Sequence, residues 1–144
     1  MKKFMSALLS VCLAAVLFAG CDGEIKKARA IDVDLTVLSG TMVYAEVFNM
    51  MTRPDEYIGK IVKANGPYVT SFYQGSYYHF VLVEGVDSCC PEGLMFIWNG
   101  EHAYPGDYPE EGTRIEFIGE FNNYDGFDAP YYCFSVDEIV VLYD

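Results

Sequence analysis

The sequence predicts an all-β domain led by one amphipathic helix, and three observations predict it. Beyond residue 60 the apolar residues alternate with polar ones, as they do along half-buried strands. Aromatic residues are plentiful, with 12 Tyr and 10 Phe, a content that suits pleated surfaces better than a helical bundle. Clusters of Gly, Pro, Asn and Asp punctuate the apolar runs at hairpin-like intervals.

The helix comes first. Val43, Tyr44, Val47, Phe48 and Met51 recur at helical spacing, Ser39 or Thr41 is available as N-cap, and Pro54 forbids continuation. Pro54 to Gly59 reads as one further turn stopped by glycine. Strand one spans Ile61 to Tyr73 and is interrupted at Gly66-Pro67, where a missing Cβ and a missing N–H favour a bend or bulge. Gln74-Gly75-Ser76 turns the chain into strand two, Tyr77 to Glu84. Strand three is Leu94 to Trp98, strand four Arg114 to Phe121, and strand five Tyr131 to Leu142. Between them Asn99 to Gly112 and Asn122 to Pro130 read as loops. Five strands, the first long and bent at glycine, fit a small closed Greek-key barrel of the OB type. The helix that often joins strands three and four of such barrels is missing or reduced to the Asn99 to Gly112 loop, so the Thr41 to Met51 helix is the candidate to plug one barrel end. A β-sandwich is the structural rival.

The N-terminus predicts a compartment. Met1-Lys2-Lys3 is followed by an apolar run from Phe4 to Gly20, the pattern of a secretion signal over residues 1–20. Leu17-Phe18-Ala19-Gly20-Cys21 resembles the lipobox of bacterial lipoproteins, with Cys21 as the acylated residue; Phe18 departs from the small or aliphatic residue usual there. Several acyl chains would anchor the protein, each buried CH₂ contributing about 0.8 kcal/mol. Residues 21–38, charged and small at first, then read as a flexible tether, and residues 39–144 as the barrel with its leading helix.

Removing Lys2 and Lys3 with the signal leaves 7 basic against 21 acidic residues, a balance of −14. Nucleic-acid binding requires a basic footprint and is disfavoured. About 110 to 120 residues remain, enough for one small core.

The run Arg53-Pro54-Asp55-Glu56-Tyr57-Ile58-Gly59-Lys60-Ile61-Val62, then Gly66-Pro67-Tyr68, Tyr78-His79-Phe80 and Cys89-Cys90-Pro91-Glu92-Gly93-Leu94, resembles a group of uncharacterised bacterial lipoproteins. More distantly it is similar to the soluble OB-like domains that accompany bacterial permeases. The resemblance spans roughly Thr41 to Leu142 and implies an OB-like fold and a cell-envelope location; it implies no ligand and no catalytic residue.

Three thiols remain if Cys21 is acylated: Cys89, Cys90 and Cys133. Outside the cytoplasm thiols tend to oxidise, and a bridge from Cys133 to Cys89 or Cys90 would close about 43 residues and contribute roughly 3 to 4 kcal/mol. A vicinal Cys89–Cys90 bridge would be strained and reducible. The same thiols with His79, and Asp87 as another donor, suit zinc or cuprous copper, although alternation along the strands sets His79 and Cys133 among different neighbours. Thiol redox chemistry is a third reading, disfavoured by Asp87 and Glu92 beside the cysteines. Asn122 to Asp128 offers oxygen donors but lacks the spacing of a calcium loop. No nucleophile elbow is present, and no catalytic residue is assigned. Tyr68, Phe72, Tyr73, Tyr77 and Tyr124 form a candidate stacking face for a sugar, a peptide or a partner protein. The expectation is a lipid-anchored, non-catalytic binding or accessory module outside the cytoplasm, touching the membrane through its N-terminal lipid.

Overall fold

The computed structural model describes residues 29–83, 91–126 and 129–143. The signal segment, Cys21, and the loop carrying Asp87, Cys89 and Cys90 lie outside the described residues.

Two residues, Val33–Asp34, form β1, and a single 3-10 turn, Leu35–Val37, follows. Helix α1 covers Gly40–Thr52. Its first amides, from Met42 and Val43, both donate to the Ser39 carbonyl, and Pro54 opens a second 3-10 turn, Pro54–Glu56. Gly59 then takes φ 84, a left-handed conformation that a side chain would strain. Five long strands complete the chain: β2 Ile61–Tyr73, β3 Ser76–Val83, β4 Glu92–Trp98, β5 Arg114–Gly126 and β6 Ala129–Val141.

The strand order is β1-β2-β3-β4-β6-β5, with β5 returning to pair with β2. Five strands therefore make a ring, in the OB-like order. All its neighbours are antiparallel except β4 and β6, which pair in parallel over Phe96↔Phe134 to Trp98↔Val136. β2 serves both halves of the ring. Residues 61–67 pair with β5 and residues 68–73 with β3, and the handover falls at the Gly66-Pro67 bend. A Cβ built on Gly66 would lie 1.9 Å from the Leu82 carbonyl oxygen, so the backbone of β3 occupies the space a side chain would need.

Alternation sends Val62, Ala64 and Tyr68 of β2, Val81 and Val83 of β3, Leu94 and Phe96 of β4, Ile115, Phe117 and Phe121 of β5, and Phe134 and Val136 of β6 into one core. Val43, Val47 and Met50 of α1 join it. Tyr57, hydrogen-bonded to Glu46 of the helix, and the Gly59–Phe121 backbone bond place α1 over the end of the barrel where β2 begins. The inward side of the helix thus packs against the barrel core.

The fold departs from the sequence reading in three ways. A sixth strand, β1, pairs in parallel with β2 through Val33↔Val62 and Asp34↔Lys63, and Leu35 is buried. Part of the segment read as tether therefore belongs to the sheet; two residues are too few to announce a strand by periodicity. The Asp32 carboxylate fastens it by accepting from Ile61 N at 2.8 Å. Next, β5 does not stop at Phe121. It continues through Asn122↔Cys133 and Tyr124↔Tyr131 to Gly126↔Ala129, so Asn122 to Gly126 are ladder residues rather than a loop or a calcium site. Finally, β4 begins two residues earlier than expected, at Glu92.

Candidate functional site

The end of the barrel opposite α1 is built from aromatic rings. On β2, Tyr68, Thr70 and Phe72 share a face, and on β3 their cross-strand partners Val81, His79 and Tyr77 share it. The hairpin runs beyond the barrel, so this face is interior at Tyr68 and open at its tip. Tyr68 is 0 % exposed, Tyr77 50 % and Phe72 62 %.

The segment between β4 and β5, read from sequence as a plain loop, folds back over this face. Tyr104 sets its ring 4.4 Å from Tyr77 and 5.4 Å from His79, measured between centroids. Tyr108 stacks on His79 at 4.1 Å and meets Trp98 edge-on at 5.3 Å. His102 stacks on Trp98 at 3.7 Å, and Phe72 contacts Tyr77 at 4.9 Å. The result is a continuous train of rings from the solvent at Phe72 to the core at Tyr68 and Phe96. Each well-placed pair contributes about 0.5–1.5 kcal/mol beyond its area, so the exposed rings rest on a rigid base. The Glu111 carboxylate ties the segment to β2, accepting from the amide and the hydroxyl of Thr70. It therefore stands beside the exposed platform.

Beneath the platform the Tyr68 hydroxyl and His79 Nδ1 are 2.7 Å apart. Burial raises the Tyr68 phenol above its ordinary range, helped by Tyr104, Tyr108 and Glu111, and burial lowers the His79 imidazole. Both groups are held neutral, joined by one hydrogen bond. The sign of the pH effect follows. Because the unfolded chain takes up a proton at His79 more readily than the folded one, unfolding free energy falls as pH drops below about 6.5. Urea titrations at pH 7.5, 6.5 and 5.5 are expected to show this loss in the wild type and a smaller one in His79→Gln; equal losses in both would assign it elsewhere.

The predicted site residues separate. Phe72 and Tyr77 come together on the platform. Tyr68 does not join them as a contact residue: wholly buried, it is the platform's root. Tyr73, next along β2, projects to the other face of the hairpin, where its hydroxyl accepts from Gln74. Tyr124 stacks on Tyr131 with centroids 6.0 Å apart, near the end of the barrel where β2 starts, away from the platform. Sequence reasoning missed Tyr104, Tyr108, Trp98 and His102 as one unit. The signal was present in four ring residues within a Gly- and Pro-rich stretch of eleven positions, unusual for a solvated loop.

The thiol and metal expectations fare differently. His79 shares a strand face with Val81 and Val83, whereas Cys133 precedes the inward Phe134 and stays outside the core cluster, so alternation sets the two side chains on opposite sides of the barrel wall. Cys133 is a free, buried thiol; Cys89 and Cys90, the partners expected for it, lie outside the described residues. Burial pushes its pKa up to about 12, which suppresses the thiolate needed for ligation or exchange. Among the described residues no group of three or more His, Cys, Asp or Glu is placed to hold a metal ion.

A groove of about 510 Å³ runs elsewhere, along the outer face of β5 and β6, lined by Arg29, Asn99, Glu116, Glu120, Asp137 and Glu138 among others. Three of the four carboxylates named have partners within the chain: Arg29 for Glu120, Lys63 for Glu116 at 3.1 Å and Asn99 for Asp137 at 3.0 Å. The aromatic end, with large rings left in water, is the stronger candidate.

No protein-family model matches this chain, and no curated protein matches it in sequence.

Proposed function

We propose that the protein is a lipid-anchored, extracytoplasmic, non-catalytic binding module, an OB-like barrel that presents a ligand to its partners through the Phe72–Tyr77–Tyr104 platform. The observation that carries the reading is that Phe72 and Tyr77 stay half or more exposed while Tyr104 and the rings behind it hold them in place. A rigid, exposed aromatic pair is a stacking surface with little ordering entropy left to lose on binding. Thr70 and Glu111 lie on the same face, so apolar ring faces stand beside hydrogen-bonding oxygens. That combination suits a saccharide, whose rings have an apolar face and a hydroxyl edge. The excess of acids, 21 against 7 beyond Cys21, speaks against nucleic acid. The lipobox-like Leu17 to Cys21 supports the anchor.

The test is calorimetric titration of soluble peptidoglycan and other cell-envelope glycan fragments. Wild type is expected to bind one of them, and Phe72→Ala with Tyr77→Ala to lose about 30-fold in affinity, the equivalent of roughly 2 kcal/mol for two stacking rings, at unchanged thermal stability. Binding that survives in the double variant would move the site off the platform; no binding by wild type to any fragment would remove the saccharide reading. Intact mass of the membrane-extracted protein reports acylation of Cys21.

A further inference from the structure

α1 is apolar on two sides. Val43, Val47 and Met50 face the core, while Tyr44, Phe48 and Met51 are 49, 55 and 41 % exposed. At 3.6 residues per turn these three fall within an arc of about 60°, the Tyr44 and Phe48 rings stacked at 6.4 Å. Ile58, past the helix end, is 43 % exposed as well. Such an apolar stripe left in water along the flank of a helix marks a surface made to be covered.

The placement of the chain's N-terminal segment identifies the cover. Arg29 pairs with Glu120, and Asp32 exchanges hydrogen bonds with Ile61 through its amide and its carboxylate. Both anchor points adjoin the Ile58 end of the patch, because Gly59 N donates to Phe121 O and Phe121 N to Lys60 O. Only seven residues, 22–28, separate Cys21 from Arg29, a span of at most about 29 Å. A lipid on Cys21 would therefore hold this end of the barrel against the bilayer. The helix itself, Gly40–Thr52, carries a single charge, Glu46, whose carboxylate accepts from Tyr57; Asp55 and Glu56 follow it before Ile58, with Arg53 and Lys60 on either side of them. Lys60 sits at the same end, over the Tyr57 ring. No helix among the described residues is long and apolar enough to cross a membrane, so α1 would lie on the surface.

We infer that the Tyr44–Phe48–Met51–Ile58 stripe docks into the interfacial region of the lipid bilayer, lying flat on the membrane that carries the Cys21 anchor and pointing the aromatic platform away from it. The inference rests on the anchored reading above. It gives the barrel an orientation: β2 runs from the docked end to the platform, at most roughly 40 Å for 13 residues of strand.

The experiment uses the full chain, expressed with its own signal, extracted in detergent and reconstituted in phosphatidylethanolamine–phosphatidylglycerol vesicles, with or without bromine on the acyl chains. Trp98 is the one native tryptophan and lies at the far end. Wild-type emission is expected to be the same in both vesicles, and Phe48→Trp to lose at least half of its added emission in the brominated ones. Tyr44→Trp, one turn away, repeats the reading if the first variant folds poorly. An acylated, vesicle-bound chain whose new indole is no more quenched than Trp98 overturns the docking and leaves the anchor standing. An unacylated chain whose new indole is nevertheless quenched overturns the anchor and leaves the docking standing. An unacylated chain that neither floats with vesicles nor is quenched overturns both. A stripe already covered in a vesicle-free dimer, seen as twice the monomer mass by sedimentation, would also overturn the docking.

Discussion

Gly66→Ala is expected to cost the protein about 3 kcal/mol or more, a large part of the 5–15 kcal/mol typical of a domain, and to lower its melting temperature by roughly 12 °C or more. The methyl group would enter 1.9 Å from the Leu82 carbonyl oxygen and 3.2 Å from Val81 Cγ1. Neither atom can step aside cheaply. Leu82 and Val81 are paired on their other edge with Gly93 and Leu94, and Gly66 with Ile115. Relief would have to come from opening β2 from β3 where β2 passes from one half of the ring to the other. Gly75→Ala is the control: φ is 87, with nothing within 4 Å of the added carbon, so only the left-handed penalty of about 1–2 kcal/mol applies. Melting curves of both variants decide the matter. Similar shifts would mean that the bend relaxes around a side chain and does not hold the barrel closed.

Much of this architecture is written in local pattern. Val43 and Val47 and the Pro54 stop make α1 readable, although Tyr44, Phe48 and Met51 of the same pattern stand in water and the buried Met50 lay outside it; Gly66-Pro67 in a long β run makes the bend readable. Longer-range features were readable only in part. Tyr68 and Phe72 share one strand face, and alternation assigns them alike; which of them is roofed depends on where β4 and β5 end, a tertiary fact. The same holds for Asn122 to Asp125, whose turn-forming composition is overridden by thirteen residues of β6 offering a continuous partner. The roof itself was invisible as structure because Pro105, Gly106 and Pro109 mask a segment held by ring contacts rather than by periodicity. His79 illustrates the converse. Its place in an apolar strand announces a packed side chain, and the phenol of Tyr68 found 2.7 Å away supplies the hydrogen bond that a buried imidazole needs.

Phe96→Ala tests whether the platform is a surface feature or an outgrowth of the core. Phe96 is 1 % exposed and lies between the two, with its centroid 6.2 Å from both Tyr68 and His79 and 5.6 Å from Phe117. Truncation removes a wholly buried ring and leaves a cavity among side chains fixed by strand pairing, so the expected loss is about 3–5 kcal/mol, read as a lower urea midpoint at unchanged slope. Phe72→Ala, at the other end of the same train of rings, is expected to change stability by no more than about 0.5 kcal/mol, since most of its ring is in water. Because contacting residues couple, Phe96→Ala is also expected to loosen Tyr108 and His79 and to broaden their aromatic resonances in NMR spectra, while Phe72→Ala leaves those resonances in place. Undisturbed Tyr108 and His79 signals in a destabilised Phe96→Ala variant would mean that the roof is held by Trp98 and Glu111 alone. The platform would then stand on the segment between β4 and β5 and owe its rigidity to that segment rather than to the barrel.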